Sequence, residues 1–412
     1  MATNSFANTN WVSMEILRLL TNKKEIAEMF DTNWSDEFKQ DFAVGQPITI
    51  KKPARFMIRD GMTYTAQNLS RQTTTMNLDQ VFGIDFEWDD YERAVYLERS
   101  EPELRKNYLD PAADRLVQEL ESRCARFAYQ NTPNVFGVLG TNPTTSTPFL
   151  DAETRLFDKS APDGNRKLIL SSRMMSGFLG NQSVQFNPAD EISRQYKKGI
   201  VGNAFGWDWH RSQSLYRHTA GTQASTVSVS GANQSGSTLT VACTTGDTFK
   251  KGDKFSIADV NFVNPNTLRV PSGNQVQHFV ITADATGASS AATLSIFPAI
   301  VGPGSPYQNV DALPADTATI TMWPGTSSPS AKAGTVGLAL ARQAFGMAWA
   351  KFTMPKMVEP GSTMATDKET GASIRFTRQW DINTGTLKNR FDMCVGFGVL
   401  YADECAACIV GA

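Results

Sequence analysis

The sequence predicts an α+β fold, interrupted by an inserted all-β domain that is barrel-like. Three observations carry that reading. A long helical repeat covers residues 109–130, strand-type alternation flanks it on both sides, and between residues 220 and 328 the style of the chain changes and then changes back.

The helix is the clearest element. In LDPAADRLVQELESRCARFAYQ, Asp110 suits the cap, and Pro111 suits the first helical position, where a missing N–H costs nothing. Leu109, Leu116, Leu120, Cys124 and Phe127 form one apolar stripe, while Glu119 and Arg123 stand one turn apart on another face and can pair. Asn131-Thr-Pro133 ends the run. At about 1.5 Å per residue this is a rod of roughly 30 Å.

Ahead of it, residues 1–10 are polar and small, and WVSMEILRLL then puts Met14, Leu17 and Leu20 on one helical face. Asn22 to Glu25 resembles a capping box before Ile26, Met29 and Phe30. Two such short amphipathic helices need a surface to pack on, either the body of the protein or another subunit. Residues 45–88 read as a long two-stranded excursion. Ile48 and Ile50 alternate with polar neighbours, Asp60-Gly61 signals a turn, and Ile84, Phe86 and Trp88 alternate on the way back. The tip, Arg59 to Ser70, is too polar for an interior, and a lone hairpin is marginal in water, so something else must hold it.

Behind the helix, a Thr- and Pro-rich loop (140–164) leads to a short buried strand at Arg166 to Ser171 and a helix from Arg173 to Gly180. ADEISRQYKKG then runs into GIVGNAFGWDWH. From about residue 220, TQASTVSVSGANQSGSTLTVACTTGDTF and the stretches 277–284, 292–300 and 317–325 are rich in Ser, Thr, Val and Gly, with few charges and no helical period. That is the mark of a small separate β module. From residue 331 VGLALARQAFGMAW reads as a return to a helical and mixed style, and ASIRFTRQWD and RFDMCVGFGVLYAD as closing strands. The module is therefore an insertion whose two flanks belong together.

The 412 residues are 41% hydrophobic and 19% charged, enough to bury a large core and too apolar for a disordered chain. A net charge of −2 advertises neither nucleic acid nor an anionic membrane. Five cysteines, an odd and scattered set, argue against a secreted disulfide framework and for a reducing cytoplasm. The start shows no secretory pattern, and no apolar run reaches the eighteen or so residues that span a bilayer.

Candidate chemistry is thin. Gly199, Gly202 and Gly206 lack the G-x-G-x-x-G spacing of a dinucleotide turn, no G-K-[S/T] follows, and the residues after them read as strand, so a tight backbone turn is favoured over a phosphate cradle. Cys405 and Cys408 have C-x-x-C spacing, but only Ile409 to Ala412 follow and no helix begins there, which favours buried thiols over a redox pair. Three histidines, His210, His218 and His278, do not assemble a zinc set. The acidic stretches at Asp89-Asp90 and Asp190-Glu191, and Ser212 beside His210, complete no catalytic group, and Lys250-Lys251 and Arg166-Lys167 read as solvated charge. No motif demands catalysis or a cofactor.

Four stretches nevertheless line up with a known family: VGQPITIKKPARFMIRDG, TTTMNLDQVFGIDFEW, RKLILSSRMMSGFL with GIVGNAFGWDWHRSQSL, and GASIRFTRQWDINTGTLKNRFDMCVGFGVLYADECAACIVG. In that order the chain resembles the major capsid (coat) protein of a tailed bacteriophage with the Hong Kong 97 type capsid fold, and more narrowly the coat proteins of short-tailed, double-stranded DNA phages that carry an inserted β domain.

The resemblance implies an N-terminal arm (1–44), an extended loop lying over a neighbouring subunit (45–88), and a peripheral domain with the spine helix (89–133). It further implies an axial domain (134–219), the inserted β domain (220–328), the axial domain continued (329–360) and peripheral C-terminal strands (361–412). The inserted domain would aid folding and meet neighbours. Contacts between subunits would fall on Trp11, Met14 and Leu17 of the arm and on Arg55, Arg59, Asp60, Tyr64 and Arg71 of the loop.

The implied function is structural: self-assembly, as pentamers and hexamers, into an icosahedral head. Implied partners are a scaffolding protein, a portal protein and enclosed double-stranded DNA held without sequence preference, with no membrane. Two alternatives are an encapsulin-like nanocompartment shell, which has no use for the inserted domain, and an oligomeric enzyme using the glycine-rich turn or the terminal cysteines.

Overall fold

A computed structural model describes residues 14, 17–18, 25–32, 47–59, 61–64, 66–67, 71–89, 110–182, 201–273, 275–323, 332–352, 363–367 and 372–412. The chain divides into two units. One comprises Met1–Ile50, Thr74–Cys124 and Phe345–Val399, and the other Lys51–Thr73, Ala125–Ala344 and Leu400–Ala412.

The first unit is organised around the strand Thr386–Val399. Along one edge it pairs antiparallel with Asn77 to Asp89 of the strand Thr73–Asp89. Along the other edge two strands share its length: Ser373–Asp381 pairs with its first half and Phe345–Ala350 with its second. Ile48–Lys51 and Thr363–Thr366 complete a six-stranded sheet. Buried Phe376 and Phe391 stack across this sheet at 4.8 Å.

The return limb of the 45–88 excursion is therefore not an unsupported limb. It is a full member of its own chain's sheet, and the spine helix lies against it. Arg123 sits over the Phe82 ring at 4.5 Å and donates to Gln80 Oε1 at 3.0 Å.

The helix Asp110–Asn131 forms as the periodicity predicts. Leu116, Leu120 and Cys124 are buried, Phe127 is half-buried, and Glu119 pairs with Arg123 at 2.8 Å. Leu109 lies outside the described residues.

The segment before it departs from expectation. Residues 27–29 make a single 3-10 turn rather than a capped α-helix, and the Glu121 carboxylate takes the place of a local cap. It accepts the N–H groups of Glu25 at 3.1 Å, Ile26 at 2.7 Å and Ala27 at 3.0 Å. Burial pushes the Glu121 carboxyl up from its ordinary range, and the three N–H donors pull the other way. Ile26, Met29 and Phe30 are buried, with Phe30 stacked on Phe345 at 5.4 Å. This part of the arm is thus held by its own chain. Asn22 to Lys24 and Leu20 lie outside the described residues.

In the second unit a seven-stranded sheet runs Val135–Gly137, Ala406–Val410, Ala333–Ala341, Arg166–Leu170, Trp207–Arg211 and Asn203–Ala204, with Arg217–Thr219 also pairing with Ala333–Ala341. Helices Thr147–Asp158 and Ser172–Gln182 belong to the same unit.

VGLALARQAFGMAW is the second correction. It forms two strands, Ala333–Ala341 and Phe345–Ala350, not a helix. A short continuous apolar run does not separate a buried helix from a strand buried on both faces. Gly337 selects the strand: a Cβ there would stand 2.5 Å from Leu170 Cδ2 and 3.1 Å from Ile169 O, so only glycine lets the neighbouring strand approach.

The inserted module is a closed six-stranded barrel in the order Lys254–Asn261, Val276–Ile281, Ala291–Ile300, Gly236–Ala242, Val227–Val229 and Thr319–Met322. Alternate residues point inward: Val227 and Val229, Leu239 and Val241, Leu294 and Ile296, Ile320 and Met322 share one core with Phe255 and Phe279. Closure removes the free strand edges that an open sheet would expose. Where the chain leaves and re-enters the larger sheet, the two passages are hydrogen-bonded neighbours, Thr219 opposite Ala333 and Arg217 opposite Thr335. Adjacent ends are what an insertion between paired strands requires.

Candidate intersubunit surfaces

The exposed chain from Lys52 to Gln72 is anchored at its base and bare at its tip. At the base, the Lys52 ammonium donates to Leu400 O and lies over the Tyr401 ring at 5.0 Å. Burial lowers the Lys52 pKa, and the Glu404 carboxylate works against that. Arg55 pairs with Glu404 at 2.5 Å, and its N–H reaches Tyr307 Oη at 3.4 Å. Farther out, among the described residues, the brackets are local: Gln67 bridges Met57 through both its N–H and C=O groups, and Arg59 donates to Thr63 O at 2.6 Å. Beyond them the side chains meet nothing described. Ile58 is 93% exposed, Met62 99% and Tyr64 83%, and Phe56 joins them. Large apolar groups so bare and so close together make the loop tip a candidate contact surface.

Of the eight contact residues expected from sequence, Arg55, Arg59, Tyr64 and Arg71 lie on this loop. Arg55 is engaged at the base, and Tyr64 and Arg71 are exposed. Met14 is exposed, whereas Leu17 is buried at 7% within its own chain. Trp11 and Asp60 lie outside the described residues. The sequence reading missed Phe56, Ile58 and Met62. Their signal is the alternation of apolar residues in RFMIRDGM with no second apolar strand of the same loop to cover them.

A second exposed feature lies on the face of the six-stranded sheet, in a groove of about 640 Å³ lined by charges of both signs. Buried Asp392 accepts from Arg375 and from Arg390, each at 2.6 Å, and Lys388 pairs with Asp381 at 2.7 Å.

Within the second unit the barrel is seated on buried polar groups. Lys159 Nζ donates to Asp403 Oδ1 at 2.6 Å and to Gln277 Oε1 at 3.1 Å, tying a helix and the C-terminal segment to the barrel strand Val276–Ile281. Arg155 donates to Val276 O at 3.0 Å and lies over the Phe262 ring at 4.4 Å, and burial lowers its pKa to about 10. Lys254 reaches out of the barrel to the carbonyls of Tyr129, at 2.9 Å, and Thr132. His278 accepts the Val135 N–H at 3.3 Å through Nδ1. Burial first, then the nearby cations Arg155, Lys159 and Lys254, hold its pKa well below 6.5.

The residues of the enzyme reading sit otherwise. Gly202 and Gly206 have φ of +75° and +76°, and the second turns Asn203–Ala204 back onto Trp207–Arg211, a tight hairpin with no helix behind it. Gly199 lies outside the described residues. Cys405 and Cys408 are free and buried. Burial pushes the Cys405 thiol up to about 12 and the Cys408 thiol up as well, away from the thiolate that redox chemistry needs. The Ser212 hydroxyl is occupied by the Ser214 N–H at 3.2 Å. Among the described residues no three His, Cys, Asp or Glu side chains cluster for a metal, and no helix is long and apolar enough to cross a membrane.

Comparison with known proteins now bears on this arrangement. A solved chain from Mycobacterium phage Che8 matches over 95% of this chain and 93% of its own, with a TM-score of 0.51 at 11% identity. The capsid of the cyanophage P-SCSP1u matches over 90% and 84% with a TM-score of 0.42 at 12% identity, and that of Ralstonia phage GP4 over 89% and 83% with 0.42 at 9%. No curated protein matches. The fold, with its barrel inserted between paired strands, is the phage capsid fold. The family model described as "P22 coat protein - gene protein 5" matches residues 1–405, so the chain belongs to the P22 coat protein family and is a major capsid protein of an icosahedral phage head.

Proposed function

We propose that this protein builds its head as pentamers and hexamers, with the loop 52–72 laid over a neighbouring copy. Arg59, Tyr64 and Arg71 would make the contact together with Phe56, Ile58 and Met62. The observation that carries this is the bare tip: apolar side chains exposed in one chain, on a loop tied to the rest of its described chain at its base. Met14 and Trp11 would add contacts from the arm. Leu17, already covered, would serve its own chain.

On this reading the spine helix belongs to a peripheral domain and the seven-stranded sheet to an axial domain that meets its copies around the symmetry axes. Contacts between different patches on identical chains close into rings, as an axial arrangement requires. A scaffolding protein and a portal protein would act during assembly in the host bacterial cytoplasm, and the shell would enclose double-stranded DNA without reading it. The near-neutral net charge suits a container that must not grip its contents. The role is structural, with no catalytic step.

Electron microscopy of purified protein with its scaffolding partner tests this. Closed shells with pentameric and hexameric clusters are expected; a stable small oligomer or amorphous aggregate under the same conditions would overturn the reading.

A further inference from the structure

Lys250 and Lys251 read as solvated charge in the sequence, but the fold gives them company. They sit on a turn held in place by its own backbone: the Lys250 N–H donates to Asp253 Oδ2 at 2.8 Å and the Lys251 N–H to Asp284 Oδ1 at 2.7 Å. That turn faces Arg126, near the end of the long helix, and Arg217, on the strand Arg217–Thr219. Together they line a cavity of about 510 Å³. Four cations from three separate parts of the chain meet there with the single carboxylate of Asp284. Among the described residues none of the four is paired with a carboxylate.

Two further features point to a ligand. Gln130 also lines the cavity. It is only 8% exposed, and its side-chain amide makes no hydrogen bond to any described residue. That leaves the two amide N–H donors open to whatever occupies the cavity. The nearby helix end, whose exposed carbonyls would repel an anion, is already offset: the Lys254 ammonium is bonded to the carbonyls of Tyr129 and Thr132.

We propose that this cavity is a phosphate-binding site, with Arg126, Arg217, Lys250 and Lys251 around the anion and the Gln130 amide donating from the floor. Phosphate fits better than a single carboxylate. The surplus of positive charge exceeds one, and two guanidinium forks with two ammonium groups match several oxygens spread around one centre. The phosphate has two possible sources, the phosphodiester backbone of enclosed DNA or a free phosphate compound. The site stands whether or not shells form, because it lies within one unit of one chain.

The test uses the full-length, unassembled protein. Pyrophosphate is titrated calorimetrically at constant ionic strength, with chloride as the control, into wild type, R217Q and the double variant K250Q/K251Q. These side chains are exposed, so circular dichroism and melting in chloride should be unchanged. Saturable binding to wild type is expected, weakened about tenfold or more in each variant. A labelled DNA duplex that competes with pyrophosphate and is lost in the same variants assigns the phosphodiester; pyrophosphate binding without such competition assigns a free phosphate. Heat no greater than chloride gives, or affinity equal across the variants, overturns the site. So does displacement of pyrophosphate by poly-glutamate at lower concentration, which would mark an acidic-peptide surface instead.

Discussion

Lys254 is fully buried in the inserted domain, with its ammonium bonded to the carbonyls of Tyr129 and Thr132 and 4.1 Å from the centre of the Tyr129 ring. Glu119 and Arg123 could be paired from spacing alone because the helix brings them together at 2.8 Å. Lys254 follows Lys250 and Lys251 closely in sequence, yet it is fully buried, and its carbonyl partners Tyr129 and Thr132 lie more than 120 residues earlier. No sequence pattern reports a contact that depends on the insertion folding back. Burial lowers the Lys254 pKa from 10.5 to about 8. Between those values the unfolded chain holds the proton and the folded chain does not, so the stability that Lys254 governs rises with pH across that window. Cys405, whose thiol is pushed up to about 12, acts in the opposite sense above its ordinary value of 9, so the clean window is short. Comparing wild type with Lys254→Met isolates the lysine. From pH 7 to pH 9 the unfolding free energy of wild type should gain about 1 kcal/mol relative to the variant in urea titrations. A difference that does not change with pH, or that falls, contradicts a charged, buried Lys254.

Elements with a clear period or a short bounded run were read correctly, and the long apolar run from Val336 and the turn finished by a distant partner were not. The helix Asp110–Asn131 announces itself by a stripe and a cap, and the hairpin at Gly206 by its glycines. The strands Ala333–Ala341 and Phe345–Ala350 are buried along nearly their whole length, so their apolar run has no period to read. The arm shows the other limit. Ile26, Met29 and Phe30 were seen as an apolar face in search of a surface, and that surface is their own chain's sheet, with Glu121 capping the turn. Deleting residues 1–30 should therefore harm folding as well as assembly. Three buried apolar side chains at about 1.5–3 kcal/mol each give a loss of roughly 5–9 kcal/mol. The urea midpoint of the truncated monomer should drop accordingly, and an unchanged midpoint would show that the segment contributes nothing within one chain.

At the scale of the whole molecule the insertion was legible because composition changes at both of its ends, and the barrel then closes on itself. The bare loop tip was harder to see. Exposure is a property of the fold, and only the fold shows that Ile58 and Met62 stay bare and that the strand Thr73–Asp89 is absorbed into a sheet. These two residues separate folding from assembly more cleanly than any truncation. Ile58→Asp with Met62→Asp removes apolar surface that is 93% and 99% exposed among the described residues of the single chain, so the unfolding free energy of the monomer, from urea titration, should move by no more than about 0.5 kcal/mol. In a shell the same pair would sit against a neighbour, where two carboxylates must be desolvated without partners. On the proposed arrangement every copy would contribute such a contact and receive one, so the penalty would be repeated at each interface and closure should fail cooperatively. Sedimentation and electron microscopy should find folded monomer or small oligomers and no closed shells. Normal heads built from the double variant would remove the loop tip from the interface, whatever its exposure in the isolated chain.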